Sequence, residues 1–126
     1  MYKYIAKVIR LNPEVEEEVT VDINGIEVTC FAGLCPYIIE VNKEYPVMFE
    51  FLDYELIEES SDVRHENPSI KRLGIGYSYE LGGWLNGDVI DFGIKIQEEL
   101  LGLDHAYLDG KYIRLLIDRL DIEFMD

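Results

Sequence analysis

The chain contains the dipeptide Asn24-Gly25 between two runs in which apolar and polar side chains alternate. Asn-Gly in this setting is the strongest short signal for a β-hairpin with a two-residue turn, because both turn residues must adopt positive φ. Closing the turn between Ile23 and Ile26 separates the side chains into two faces. One face carries the apolar pairs Val21–Val28 and Val19–Cys30, and the other carries Asp22–Glu27, Thr20–Thr29 and Glu18–Phe31. A shift of one residue would mix the two faces, so the sequence predicts both the register and the inward side of this hairpin.

A second Asn-Gly, at Asn86-Gly87, predicts a second hairpin between the runs 70–85 and 88–96. Pairing Leu85 with Asp88 sets three apolar pairs along it: Leu81–Phe92, Tyr79–Ile94 and Tyr77–Ile96. Five glycines punctuate these runs: Gly74, Gly76, Gly82, Gly83 and Gly93. Glycine inside a strand marks a bulge, a bend or the close approach of another backbone, and several together favour a strongly coiled sheet.

Four further strands are predicted from alternation and from β-branched and aromatic residues, over residues 2–11, 37–41, 45–53 and 111–124. The first carries apolar residues on both sides, which indicates a strand covered on two faces over part of its length. The last also carries them on both sides, which indicates a central strand. Residues 55–68 are the most polar stretch and are predicted to form a mobile surface loop, with a helical turn over 61–66 as an alternative.

One helix is predicted over residues 97–108, because Ile96, Leu100, Leu103 and Tyr107 recur at helical spacing. Gly102 lies in its middle, where glycine costs about 1 kcal/mol relative to alanine, so the helix is expected to be short. An extended run that turns at residues 109–110 is the alternative for this stretch.

Hairpin-connected strands with one brief helix predict an antiparallel all-β domain that spans residues 1–126. Bend glycines and two-faced strands favour a partly closed β-barrel, and a two-sheet β-sandwich is the alternative. Two segments resemble the entries to OB-fold strands, where a turn with Lys precedes Tyr and alternating aliphatic residues: 40–47 (EVNKEYPV) and 108–114 (LDGKYIR). In these segments the chain is similar to small bacterial OB-fold-like β-barrel proteins of unknown function. The resemblance implies a barrel face that binds an oligonucleotide, an oligosaccharide or a protein.

The charge of the chain restricts its partners. Twenty-six acidic residues against 11 basic ones give a formal net charge of −15. This charge repels nucleic-acid phosphates and anionic membranes, so the sequence predicts no nucleic acid and no membrane as partner and favours a basic protein. No run reaches the ~20 apolar residues of a membrane span, and the first residues lack the apolar core of a signal peptide. The protein is therefore expected to be cytoplasmic.

Few residues carry a recognisable chemistry. Cys30 and Cys35 are too few for a disulfide framework, and zinc would need further ligands, whereas His65 and His105 are far apart in the sequence. Carboxylates that could act in pairs are numerous, and no pattern singles out two of them: Glu50, Asp53, Asp91, Asp118, Asp121 and Glu123. Phosphate-binding, dinucleotide-binding, nucleophile-elbow and calcium-loop motifs are absent from the sequence. The sequence thus predicts no catalytic residue, no metal site and no cofactor.

Two groups of residues remain as candidates for binding a protein: the loop acids Glu58, Glu59 and Asp62, and the aromatic residues Tyr77, Tyr79 and Trp84. Tyr and Trp flanked by acids suit a protein interface, although the same rings would also suit a cover over one end of a barrel.

The leading functional hypothesis is an acidic binding protein without catalytic activity whose partner is a basic protein. One specific form is an immunity- or inhibitor-type protein that covers the basic site of a nuclease-like toxin. The alternatives are a small-ligand-binding protein or carboxylate-based enzyme with a pocket at the barrel mouth, and a structural subunit that buries its aromatic edge in an oligomer.

Overall fold

The computed structural model describes residues 2–59 and 67–126, and of Glu58 and Glu59 it describes only the main chain. The strands are β1 (Tyr4–Leu11), β2 (Glu18–Ile23), β3 (Ile26–Phe31), β4 (Glu44–Glu59), β5 (Ser69–Arg72), β6 (Tyr79–Asn86), β7 (Val89–Asp91), β8 (Lys95–Gln97) and β9 (Tyr112–Phe124). Between β8 and β9 lie the helix α1 (Glu99–Asp104) and a 3-10 turn (Ala106–Leu108).

Five of the strands close into a ring. They follow the order β3-β2-β1-β4-β9 with antiparallel pairing, and β3 then meets β9 through one parallel bridge, Phe31 with Asp121. The sheet continues from β9 through β6 and β7 to β8, and β5 pairs with β6. The prediction of an all-β, antiparallel, hairpin-connected and partly closed barrel is confirmed, and the described strands form one continuous sheet rather than the two sheets of a sandwich.

The first hairpin has the register that the sequence predicts, from Ile23–Ile26 to Glu18–Phe31. Asn24 and Gly25 have φ of +52° and +89°, as a two-residue turn with two left-handed positions requires. The inward valines and Cys30 are fully buried. Thr20 and Thr29 on the other face are also buried, where their hydroxyls bond to each other at 2.8 Å.

The predicted second hairpin is wrong in register and in extent. Asn86 pairs with Val89, so the turn residues are Gly87 and Asp88, and the φ of +64° at Gly87 fits a type II′ turn with glycine in its first central position. The chain turns again at Gly93, with φ of +102°, and starts β8. The predicted pairs Leu81–Phe92, Tyr79–Ile94 and Tyr77–Ile96 do not form. β6 pairs with β9 and β5 instead, and this uses both of its edges.

β4 and β9, of 16 and 13 residues, change the side that they bury halfway along. β9 buries Ile113, Leu115 and Ile117 before Asp118, and Leu120, Ile122 and Phe124 after it. In β4 the change falls at Asp53, whose φ is +52°, between the pairs Leu52–Arg119 and Tyr54–Ile117. One half of β9 therefore belongs to the ring and the other half to the layer with β6. This change of side explains the apolar residues on both sides of 111–124. β4 also continues to Glu59, so the first part of the predicted loop 55–68 is strand instead.

A short helix within residues 97–108 is confirmed, but its buried side is not the predicted one. Leu101 and Leu108 are fully buried, whereas Leu100, Leu103 and Tyr107 are exposed. Within α1 the buried residue is Leu101, and because α1 ends at Asp104 the predicted helical spacing does not continue to Tyr107.

One smaller prediction is wrong, and another lies outside the described residues. Residues 37–41 form no strand in the described structure. The second side of β1 is covered only in part, because Ile9 is half-buried whereas Ile5 and Leu11 are exposed. The alternative of a helical turn over 61–66 lies outside the described residues.

Candidate functional site

Tyr79, predicted for the protein-binding surface, lies in the core. Its hydroxyl accepts a hydrogen bond from the N–H of Thr29 at 2.9 Å and donates one to the carbonyl oxygen of Thr29 at 2.8 Å. These groups belong to the edge of β3 that faces away from β2, close to the bridge at which β3 meets β9. The Tyr79 hydroxyl therefore takes the place of a partner strand for Thr29, just beyond the point where β3 pairs with β9. Burial raises the pKa of Tyr79. Its placement on the surface was wrong, because the ring is 3% exposed.

Tyr77 and Trp84 are half-buried and do not share one patch. Tyr77 packs edge-on against Phe31 and donates a hydrogen bond to Glu18 Oε1 at 3.2 Å. Trp84 packs edge-on against Tyr112 with ring centroids 5.7 Å apart. Tyr77 precedes Trp84 by seven positions, which corresponds to about 23 Å of extended chain and separates the two rings.

The main chain of Glu58 and Glu59 pairs with the start of β9, the part of β9 that also pairs with β6 near Trp84. Trp84 and these two main-chain positions therefore lie at the same end of the sheet. The side chains of Glu58 and Glu59 and all of Asp62 lie outside the described residues.

The thiols and imidazoles do not assemble a reactive group in the described part of the chain. Cys30 is fully buried, and burial raises its pKa, whereas Cys35 is exposed, and both are free thiols. The Nδ1 atom of His105 is buried without a hydrogen-bond partner among the described residues. Within residues 2–59 and 67–126, no three His, Cys, Asp or Glu side chains are placed to hold a metal ion.

An apolar segment that sequence reasoning missed lies on the surface after β3. Gly33 and Pro36 interrupt the extended pattern, and the chain runs without strand pairing to β4. Tyr37 anchors this segment, because its ring stacks on Tyr45 at 5.6 Å and its hydroxyl donates to the carbonyl oxygen of Met125 at 2.6 Å. Its neighbours point outward: Leu34 is 80% exposed and Ile38 is 89% exposed.

A groove of about 1110 Å³ separates this segment from the β1–β2 loop. Asn12 shapes the loop, because its Oδ1 accepts hydrogen bonds from the N–H groups of Glu14 and Val15, and its amide donates to Glu18. The loop thereby carries Glu16 and Glu17 along the groove, whose opposite wall includes Leu34 and Ile38. One wall is acidic and the other is apolar.

The other side of Leu34 borders a depression of about 170 Å³ around Arg119. Arg119 lies over the Phe31 ring at 4.2 Å and binds Asp121 through two hydrogen bonds of 2.6 and 3.0 Å. Glu50 and Glu123 complete the wall. Because the guanidinium is already paired, this depression presents the acids of its wall more than a free cation.

We call the exposed residues Leu34 and Ile38, with the acids Glu16, Glu17, Glu50 and Glu123 that border them, the Leu34 surface. It combines an apolar centre with carboxylates on both sides, which suits contact with another macromolecule. The sequence signal that could have located it is the run of apolar residues after Pro36, which has no hairpin partner with an alternating pattern. Because a strand was predicted over this run, the exposure of Ile38 was not expected.

The described part of the chain contains no helix that is long and apolar enough to cross a membrane. No curated protein and no solved structure matches the chain. One family model matches residues 2–125, almost the whole length. The chain therefore belongs to the family described as "Uncharacterised conserved protein UCP019853".

Proposed function

We propose that this protein is a non-catalytic binding protein that engages a partner protein of basic surface through the Leu34 surface. The observation that carries the proposal is the exposure of Leu34 and Ile38, 80% and 89%, beside carboxylates in a chain of net charge −15. Exposed aliphatic side chains supply the desolvated centre of an interface, and the acids around them attract lysine and arginine. An immunity- or inhibitor-type role toward a nuclease-like toxin is the specific form that we favour.

The architecture supports the same assignment. A five-stranded, partly closed ring agrees with the resemblance to the OB fold, and OB-fold proteins bind ligands at strands 2 and 3 and at the loop between strands 1 and 2. The corresponding loop of this chain, residues 12–17, forms one wall of the groove beside Leu34. We propose an OB-type barrel with its ligand side at this groove. Two free thiols fit a cytoplasmic location.

The test is a pull-down of the tagged protein from a lysate of its source cell, washed at low and then at high salt. Leu34→Ser combined with Ile38→Ser removes the apolar centre without altering charge. Ile75→Ser is the matched control, because Ile75 is 94% exposed and lies in the turn between β5 and β6. We expect a near-stoichiometric basic protein with the wild type and with Ile75→Ser, its release by salt, and its loss with the double variant.

Equal capture by the double variant and the control would refute the Leu34 surface as the interface. The absence of a protein partner at either salt would instead favour the alternative of a small ligand or a carboxylate-based enzyme. The depression lined by Glu50, Asp121, Glu123 and Arg119 is the first place at which to test that alternative.

Reversing the charges of Glu58, Glu59 and Asp62 addresses the predicted steering loop separately. If these acids steer the partner, the reversal slows association at low salt and has little effect at high salt. An unchanged association rate would exclude them from the steering surface without affecting the assignment of Leu34.

A further inference from the structure

The long strand β4 has an edge without a partner strand over most of its length. Along one edge β4 pairs with β9 from Val47 to Glu59. Along the other edge it pairs with β1 only from Glu44 to Val47. β8 runs nearby but pairs with β7. From Met48 onward, this second edge therefore meets no ladder partner within residues 2–59 and 67–126, and an unpaired edge is a template for an added strand.

A furrow follows this edge. One depression of about 460 Å³ lies between residues 48–50 of β4 and β8, and a second of about 450 Å³ lies between residues 51–56 and α1. They continue one another along β4, with Glu99 in the first wall and Glu98 in the second. Tyr2 occupies the β1 end, where Lys95 lies over its ring. The stretch 50–56 corresponds to about 23 Å, enough for a short extended peptide.

The part of the furrow beside α1 combines a fixed floor with an exposed apolar wall. The Tyr54 ring packs against Phe51 and against His105, with centroids 6.0 Å apart in both pairs. Leu100 lines the opposite wall and is 53% exposed. An extended peptide laid along β4 would thus contact side chains on the floor and on the helix while its backbone pairs with the strand.

The charge of the furrow selects the occupant. Its walls carry one lysine, Lys95, and six carboxylates: Glu50, Asp53, Asp88, Glu98, Glu99 and Asp104. Burial raises the pKa of Tyr54, and Asp104 and Glu98 raise it further, as expected beside negative charge. A second copy of this chain would bring the same acids against each other. A segment with Lys or Arg between apolar residues complements the furrow.

We propose that the edge of β4 from Glu50 to Leu56 binds an extended, basic segment of a partner protein by β-strand addition, between β4 and α1. Main-chain hydrogen bonds to β4 supply the general affinity, and the acids and Leu100 select the side chains. This site is centred on β4 and α1 rather than on Leu34, and it shares Glu50 with the Leu34 surface.

The probe is a phage-displayed library of random peptides of about 12 residues, long enough to span the furrow. We expect selection on the full chain to enrich peptides rich in Lys and Arg and free of proline in the pairing stretch. With the best peptide, the amide protons of residues 50–56 that face the furrow should exchange more slowly. A version N-methylated at alternate residues should bind at least about tenfold more weakly, because it cannot complete the ladder.

Leu100→Ala and Leu103→Ala form the matched pair of variants, because both leucines are exposed on α1 and only Leu100 lines the furrow. Leu100→Ala should weaken the peptide about fivefold to tenfold and Leu103→Ala less than about twofold. The proposal is overturned if no peptide is enriched, if both variants respond alike, if slowed exchange lies outside β4, or if the N-methylated peptide binds equally well. Leu34→Ser should leave the peptide affinity unchanged, and loss of binding there would assign the peptide to the Leu34 surface instead.

Discussion

Removal of one hydroxyl group, by Tyr79→Phe, should destabilise the barrel more than its size suggests. The hydroxyl is the partner of two backbone groups of Thr29, the N–H at 2.9 Å and the carbonyl oxygen at 2.8 Å. Thr29 and Tyr79 are both buried, so phenylalanine would leave a donor and an acceptor without a partner. Each such group costs about 1–3 kcal/mol, and for the two groups we therefore expect a loss of about 2–6 kcal/mol in the free energy of unfolding.

Tyr77→Phe is the matched control. It also removes a tyrosine hydroxyl next to β6, but this hydroxyl binds a half-buried carboxylate, Glu18, which also accepts a hydrogen bond from Asn12. We expect a loss below about 1 kcal/mol. Urea unfolding measures both values, and hydrogen exchange at the Thr29 amide reports the local effect. If Tyr79→Phe lowered the free energy of unfolding no more than Tyr77→Phe, the hydroxyl of Tyr79 would not be the group that satisfies the backbone of Thr29 where β3 meets β9.

Alkaline pH provides an independent readout of the same contact. Burial raises the pKa of Tyr79 in the folded protein above its value of about 10 in the unfolded chain. A phenol with a raised folded pKa contributes stability that is complete below the unfolded pKa and is lost as the pH rises through the folded pKa. Phenylalanine has no such dependence, so the stability difference between wild type and Tyr79→Phe should narrow as the pH rises from about 8 to about 11. A constant difference would contradict the assigned burial of the hydroxyl.

Two further predictions concern close packing and thiol access. Gly83→Ala should cost roughly 1–3 kcal/mol or more in thermal or urea unfolding, because its Cβ would overlap the carbonyl group of Asp91; Gly76→Ala, with open space around it, should stay within about 0.5 kcal/mol, and equal effects would refute the packing argument. Iodoacetamide should label Cys35 in the native protein and Cys30 only after unfolding, because Cys30 is buried and burial raises its pKa. Mass spectrometry detects the labelled thiols, and rapid labelling of both thiols in the native protein would contradict the burial of Cys30.

The first hairpin was predictable because its information is local. Asn24-Gly25 specifies the turn, and the alternation on both sides admits one register, so all six residue pairs follow from 14 neighbouring residues. The second Asn-Gly gave a wrong register because Gly87 can also be the first central residue of a type II′ turn. In addition, β6 pairs with β9, which lies far along the chain. A local sequence pattern does not reveal such a long-range partner.

The change of the buried side along β4 and β9 was not predicted, for a related reason. Apolar residues on both sides of 111–124 are compatible with a strand covered twice and with a strand that buries one side and then the other. The positive φ of +52° at Asp53 is the local sign of the second case, and a single aspartate between Leu52 and Tyr54 does not reveal it in the sequence. The candidate sites were missed because exposure depends on which strands lack partners. Ile38 lies in a predicted strand and becomes a surface residue because nothing among the described residues pairs with 37–41, and Leu34 lies in the unpaired stretch just before it.

Two of the strand edges that lack a partner strand within the described residues, the edge of β3 beyond its bridge to β9 and the edge of β4, differ in what faces them. Where β3 meets β9, the N–H and carbonyl groups of Thr29 have no partner strand and are hydrogen-bonded by the hydroxyl of Tyr79, so the barrel satisfies this edge internally. At β4 the edge from Met48 onward faces a furrow. Carboxylates line this furrow, whereas the edge of β3 is bonded by Tyr79. Native proteins guard open edges with charge, which prevents pairing with chance partners and leaves pairing with a complementary chain favourable. Carboxylates at this edge repel an acidic strand and attract a basic one, so they define the class of segment that the edge of β4 is expected to bind.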